Sequence, residues 1–321
     1  MYFQLFGGFV VLLGAAEVFI RGAVSLAKIL NIPPLVIGMT VVAIGTSAPE
    51  LMVSLDAVLS GAPGMAVGNV VGSNIANVLL ILGVSCFLSP IKGPESANTR
   101  DVFVLITGSA IFALLCAQGQ LGLWSGGILF IAFLGFLAST YRAEIQDEEA
   151  IAEHILEVEG MSPIAAPKWA IVLSILVGLA GIIWGADLLV EGGIEVARTF
   201  GVSEEVIGLT AIALGTSLPE LAASGMAAFR GHSDIAVGNV VGSNLFNILG
   251  VAGVVAMVAP LPVSGNILSF DIWVMLGSTA LVLPILAGRW HPARMSGIFF
   301  LALYCGYIGY IGFSTGLLAG I

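Results

Sequence analysis

The stretch Gly45-Thr46-Ser47-Ala48-Pro49-Glu50 recurs as Gly215-Thr216-Ser217-Leu218-Pro219-Glu220. Each copy places a glutamate inside a long apolar segment. An ionisable side chain at membrane depth is costly, and by default it marks an ion pathway or a substrate site. Each glutamate directly follows a proline, which has no N–H and whose ring clashes with the carbonyl four residues back. A kink or break of the helix is expected there. The freed carbonyls are those of Gly45, Gly215 and their neighbours. One helical turn thus gathers a carboxylate, two hydroxyls and loosened backbone oxygens. These are hard ligands, suited to Ca²⁺ or Na⁺ and poorly suited to soft metals. The plainer alternative is a kinked helix whose glutamate pairs with a buried base, but no basic residue lies near either copy in sequence.

The shift of 170 residues that relates the two copies extends well beyond them. Ala66–Asn74 reads AVGNVVGSN, and so does Ala236–Asn244. Gly38 and Thr40 recur as Gly208 and Thr210, Glu17 as Asp187, Gly22 as Gly192, Lys28 as Arg198, and Pro90 as Pro260, without a gap. The chain is therefore a duplicated unit.

Composition makes that unit membranous. Of 321 residues, 58% are hydrophobic and 9% charged, where a soluble domain carries roughly 25% charged residues; mean hydropathy is +1.08. Apolar runs long enough to span, about 20 residues each, can be drawn ten times: near 3–30, 34–60, 64–89, 100–117, 121–141, 168–197, 204–229, 234–259, 269–287 and 294–317. The expected fold is an all-α polytopic membrane protein of ten transmembrane helices. It divides into a first five-helix repeat (1–142), an acidic inner-side loop (143–167) and a second five-helix repeat (168–321). Five is odd, so the second repeat is inverted relative to the first. Inverted repeats with broken helices near the midplane are the build of many secondary transporters.

Orientation follows from lysine and arginine. With the N-terminus outside, Arg21, Lys28, Lys92, Arg100, Arg142, Lys168, Arg230, Arg289 and Arg294 fall on the inner side, and Arg198 alone falls outside. Both termini are expected outside. The first segment lacks a basic start and is too long for a cleavable signal peptide. The net charge of −10 does not mark an acidic partner surface, since seven of the twenty acids lie between Glu144 and Glu159. There Glu149, Glu153 and Glu157 follow at helical spacing with Ile151 and Ile155 on another face, which predicts a short amphipathic surface helix. Cys86, Cys116 and Cys305 sit in apolar spans and read as small buried hydrophobes. His154, His232 and His291 fall in loops, far in sequence from the glutamates. Asp56, Asp101 and Asp271 sit near span ends, within reach of water. Glu17 and Arg21, four apart, are placed to pair.

The second duplicated block, Gly68–Asn74 followed by Asn77, has its twin in Gly238–Asn244 followed by Asn247. Its glycines and polar run interrupt an apolar span, so a second broken helix is expected in each half. Ser73 and Asn77 share a helix face, as do Ser243 and Asn247. Asn69, Asn74, Asn239 and Asn244 are candidates to cap broken ends. A glycine packing face with buried amides is the alternative. A phosphate loop is not, because the Gly-Lys-Ser/Thr ending is missing.

On these two paired motifs the sequence resembles the cation/Ca²⁺ exchanger superfamily, most closely its prokaryotic sodium/calcium exchangers. Gly45–Leu51 with Gly68–Asn77 resembles the family's first α-repeat, and Gly215–Leu221 with Gly238–Asn247 its second. The resemblance implies a core of spans 2, 3, 7 and 8 holding four sites at which Ca²⁺ and Na⁺ compete, with spans 1 and 6 sliding over it. The implied ligands are Glu50, Thr46, Ser47, Ser73 and Asn77 from the first half, and Glu220, Thr216, Ser217, Ser243 and Asn247 from the second. The carbonyls of Ala43 and Ala213 complete the set. Several relatives carry Asp where Asn247 stands, so this site has two formal charges where theirs has three. That leaves stoichiometry open and disfavours K⁺ coupling.

Four functions compete at this stage. Na⁺/Ca²⁺ antiport leads, because protons need no Thr-Ser hydroxyls. Ca²⁺/H⁺ antiport follows, since a desolvated glutamate can carry a proton. A channel is disfavoured by an inverted repeat within one chain. An intramembrane hydrolase lacks any substrate-binding element. The expected partners are the transported ions and the lipid bilayer of a prokaryotic cell membrane. No cofactor, nucleic acid or obligate protein partner is implied.

Overall fold

The computed structural model describes residues 2–30, 32–91, 99–145, 167–199 and 204–314. Within them lie ten long helices: α1 (Tyr2–Leu30), α2 (Pro34–Leu59), α3 (Pro63–Leu88), α4 (Thr99–Cys116), α5 (Leu123–Ile145), α6 (Lys168–Thr199), α7 (Glu204–Phe229), α8 (Ser233–Val258), α9 (Ile267–Leu286) and α10 (Arg294–Ser314). Eight of them are long and apolar enough to cross a membrane by length and composition; α4 and α7 are the other two. The protein is an all-α, multi-pass membrane protein. Large apolar side chains such as Leu114, Trp124, Ile131, Trp169 and Trp273 stand exposed, as they must where the outer solvent is lipid. The predicted amphipathic helix falls outside the described residues.

The duplication is visible in the element boundaries: α2 and α7, like α3 and α8, begin and end at positions 170 apart. Inversion is visible in α1 and α6. A Cβ at Gly8 would meet Leu189, one at Gly185 would meet Leu12, and one at Gly178 would meet Phe19, at 2.6–2.8 Å from backbone nitrogen in each case. One number falls as the other rises, so the two first helices of the repeats run antiparallel. Only glycine permits that approach. Two short backbone links tie each repeat to the other. After α8, Leu261 pairs with Leu121 in a two-residue antiparallel bridge between β1 (Gln120–Leu121) and β2 (Leu261–Pro262). After α3, the twin position Ile91 donates its N–H to the Pro292 carbonyl at 2.9 Å.

Helices α3 and α8 are buried along most of their length, α10 hardly at all. The core is therefore α3 and α8 with α2 and α7 against them, and the rest forms a lipid-facing shell.

Three expectations about the helices need correction. The Gly68–Asn74 and Gly238–Asn244 blocks do not break α3 and α8; both helices run through them and then widen into a π turn, at Asn77–Leu82 and at Phe246–Val251. A single i→i+5 turn realigns side chains without leaving the backbone unsatisfied, and such turns concentrate at functional sites. Pro219 lies inside a continuous α7, whereas α2 is interrupted at Ser47; a proline removes one backbone hydrogen bond, which a helix can survive by bending. Finally, Asp56 is exposed, but Asp101 is buried beside Arg100 at 3.8 Å. Asp271 is half-buried and accepts a 3.0 Å hydrogen bond from the Tyr307 hydroxyl. Position along a span shows depth, not which neighbour a side chain faces.

Candidate metal-ion site

The local geometry at Glu50 starts with Pro49. Without an N–H there, the Gly45 carbonyl loses its helical donor. Ser47 takes φ −89° and ψ 8°, the bridge region where turn and active-site residues sit. A new helix then starts at Ala48 with proline in its first turn, a position where the missing N–H costs nothing. Glu50 falls in that same first turn, where the positive end of the helix dipole favours a carboxylate.

The two motifs, 170 residues apart in sequence, meet in the core. Ser47 Oγ donates to Glu220 Oε1 at 2.6 Å, and Thr46 lies beside the same carboxylate. Glu50 is close enough to Glu220 for the two charges to interact. Thr46 Oγ1 sits 3.1 Å from the Val42 carbonyl and donates to Asn239 Oδ1 at 3.3 Å. Glu50, Thr46, Ser47, Ser73, Asn77, Glu220, Thr216, Ser217, Ser243 and Asn247 are all buried, none more than 5% exposed.

Burial on this scale requires partners: a buried polar group without a hydrogen bond costs roughly 1–3 kcal/mol. Yet Glu50 Oε2, Glu220 Oε2, Ser217 Oγ, Ser243 Oγ and both polar atoms of Asn247 have no hydrogen-bond partner in the protein. All of them are in the set singled out from sequence. Carboxylate, hydroxyl and amide oxygens are the hard donors that suit Ca²⁺ or Na⁺. The Ala43 carbonyl accepts the Ser47 N–H at 3.0 Å and keeps its second lone pair. Ala213 lies in the helical run of α7 upstream of Pro219.

Sequence reasoning missed the side chains that brace this set. Asn239 Nδ2 donates to Ser224 Oγ at 2.8 Å, and its twin Asn69 donates to Ser54 Oγ at 3.0 Å and to the Glu50 carbonyl at 3.3 Å. These asparagines bridge helices instead of capping them. The signal was present, since Ser54 and Ser224 are also 170 apart. Glu17 does lie 3.8 Å from Arg21, but its closer partner is Arg230, which grips both carboxylate oxygens at 2.7 Å.

The family model described as sodium/calcium exchanger protein matches residues 1–142 and 170–313. The chain belongs to the sodium/calcium exchanger family. It is similar to the putative antiporter CaxA of Alkalimonas amylolytica, 37% identical over 96% of this chain and 97% of the relative. It is also similar to the sodium/calcium exchanger MaX1 of Methanosarcina acetivorans, at 32% identity over 94% and 95%. The solved structure of the sodium-calcium exchanger NCX_Mj soaked without Na⁺ and Ca²⁺ superposes with a TM-score of 0.82, at 31% identity, covering 96% of this chain and 97% of that one. The protein is thus a membrane transporter of the cation/Ca²⁺ exchange class, not an enzyme.

Proposed function

We propose that the protein exchanges Na⁺ for Ca²⁺ by alternating access, the two ions competing for one midplane site built on Glu50 and Glu220. The observation that carries this reading is the set of buried, partnerless atoms drawn from both repeats. Thr46, Ser47, Ser73 and Asn77, with Thr216, Ser217, Ser243 and Asn247, supply the neutral oxygens. The carbonyls of Ala43 and Ala213 complete the shell. Two carboxylates balance one Ca²⁺ or two Na⁺. The same oxygens cannot hold both loads, so release of one permits binding of the other.

Alternating access draws support from an asymmetry in the core. At one end, a Cβ on Gly238 or Gly242 of α8 would run into the backbone of Leu35 or Met39 in α2. At the other end, the twin Gly68 of α3 is exposed, and a Cβ there would meet no described atom. Among the described residues, one end is shut and the other is not. The excess of lysine and arginine assigns the shut end to the inside, with both termini outside and the 143–167 loop within.

The test is Ca²⁺ uptake into vesicles of reconstituted protein under an imposed Na⁺ gradient, a pH gradient, or neither. Na⁺-driven uptake is expected, and it should fall to background in Glu50→Gln and in Glu220→Gln, each of which keeps shape while removing half the site's charge. Uptake driven by the pH gradient alone would assign Ca²⁺/H⁺ antiport instead. Normal flux in either well-folded variant would remove that glutamate from the site.

A further inference from the structure

An asparagine that ligates a cation must present Oδ1, because its NH₂ end carries positive partial charge. The two ends have nearly the same shape, so packing alone does not choose between them. Hydrogen bonding does. The Asn74 carbonyl can only accept. Asn244 therefore aims Nδ2 at it, at 3.4 Å, which leaves Asn244 Oδ1 to accept from Asn77 Nδ2 at 3.0 Å. The chain has one direction, and it commits the NH₂ of Asn77 away from the ions, with Oδ1 as its remaining end. All three asparagines are buried, at 1–2% exposure.

The twin relationship, Asn247 with Asn74, is not formed. Asn74 spends its NH₂ on the Val70 carbonyl at 2.7 Å. Asn247, fully buried, has no partner at either polar atom. The residues are the same in both halves, and the contact exists in only one.

We propose that Asn244 is a positioning residue that fixes the Asn77 amide with its oxygen toward the transported cation, and that Asn74 does the same for Asn247 in the opposite-facing state. This rests on the reading of Asn77 and Asn247 as ligands. Each amide is then oriented only while its own half is clamped. The site is thereby a different ligand set on the two sides of the membrane, although its residues do not change.

A double-mutant comparison tests the clamp, with equilibrium binding of Ca²⁺ alone to the purified full-length protein as the readout. Asn244→Ala should raise the Ca²⁺ dissociation constant by about ten- to a hundredfold, the usual cost of losing an orienting partner. In an Asn77→Asp background the same change should cost less than about twofold, because a carboxylate offers oxygen whichever way it is turned. Asn244→Leu, close in volume, should repeat both results if the alanine variant is not monodisperse. An equal cost in the two backgrounds, or no cost in either, would reduce Asn244 to a packing residue and overturn the clamp. Unchanged Ca²⁺ binding in Asn77→Ala would instead overturn the ligand reading on which the clamp rests.

Discussion

The sequence AVGNVVGSN occurs twice, and its two copies live in different surroundings. On α8 it is buried from Ile235 to Asn247, with Gly238 and Gly242 pressed on the α2 backbone. On α3, Gly64 and Gly68 are exposed and Gly72 is partly so. Asn239 reaches Thr46 across the shut end, and Asn244 holds Asn77; Asn74 turns back on its own helix. Identical residues with opposite packing mean that local sequence does not determine which end is closed. On the proposed alternating-access reading, a second arrangement exchanges the roles of the two copies, at an energy set by the residues that differ between the repeats.

The largest effects are expected at the twin glycines. Gly242→Val would overpack the shut end, with a stability loss of about 1–3 kcal/mol, and Ca²⁺ transport should stop. A Cβ at Gly72 would meet no described atom, so Gly72→Val should leave thermal stability near the parent's. Transport should stop there too, because α3 must close in the exchanged arrangement. Normal uptake by Gly72→Val would mean that the open end never shuts.

A smaller shift is expected at the charge pair that distinguishes the ends. Arg230, in the α7–α8 turn, grips Glu17 of α1, while the twin positions are Ser60 and Asp187. The pair is partly exposed, 44% and 21% for the two side chains, so its contribution is about 1 kcal/mol, roughly a fivefold population ratio. Arg230→Gln should release the shut end by that factor. Cys305, expected from sequence to be buried, is exposed, so in a Cys305→Ala background labelling of Gly68→Cys by an impermeant thiol reagent should slow accordingly. Ser60→Arg, which offers Asp187 a partner, should move labelling in the same direction. An unchanged rate in both variants would leave the pair without a role in setting the equilibrium.

The smallest effect concerns His232 in that same turn. Burial, with Lys28 nearby, holds its imidazole below the usual histidine range. The folded protein thus favours neutral His232, while an unfolded chain protonates it below about pH 6.5. Its contribution to stability is complete above that pH and is lost as pH falls toward the lowered folded value. His232→Gln should remove this component of the acid-side fall in melting temperature. Identical profiles for parent and variant would contradict the assignment.

Much of this was legible without coordinates, for a physical reason. Hydropathy runs and a 170-residue self-match are local signals, and a glutamate in an apolar run is visible wherever it lies. What was not legible depends on helix rotation and on contacts between distant segments. Ser47 with Glu220 is a contact across 173 residues, and Arg230 with Glu17 one across 213. Asn69 and Asn239 read as caps because a polar residue beside glycine suggests a helix end. The π turns at Asn77–Leu82 and Phe246–Val251 keep the helices whole, so no end needs a cap there. Asp101 was placed in water by its depth, but the α4 face that carries it turns inward.

The central claim is that one set of buried oxygens serves both ions. It is tested most directly by equilibrium binding of radioactive Ca²⁺ to the purified protein at increasing Na⁺. If Glu50 and Glu220 hold both loads, Na⁺ should raise the apparent Ca²⁺ dissociation constant without lowering capacity, displace all bound Ca²⁺ at saturation, and find none to displace in Glu50→Gln or Glu220→Gln. Ca²⁺ that stays bound at saturating Na⁺, or that still binds normally to either variant, would contradict a shared site.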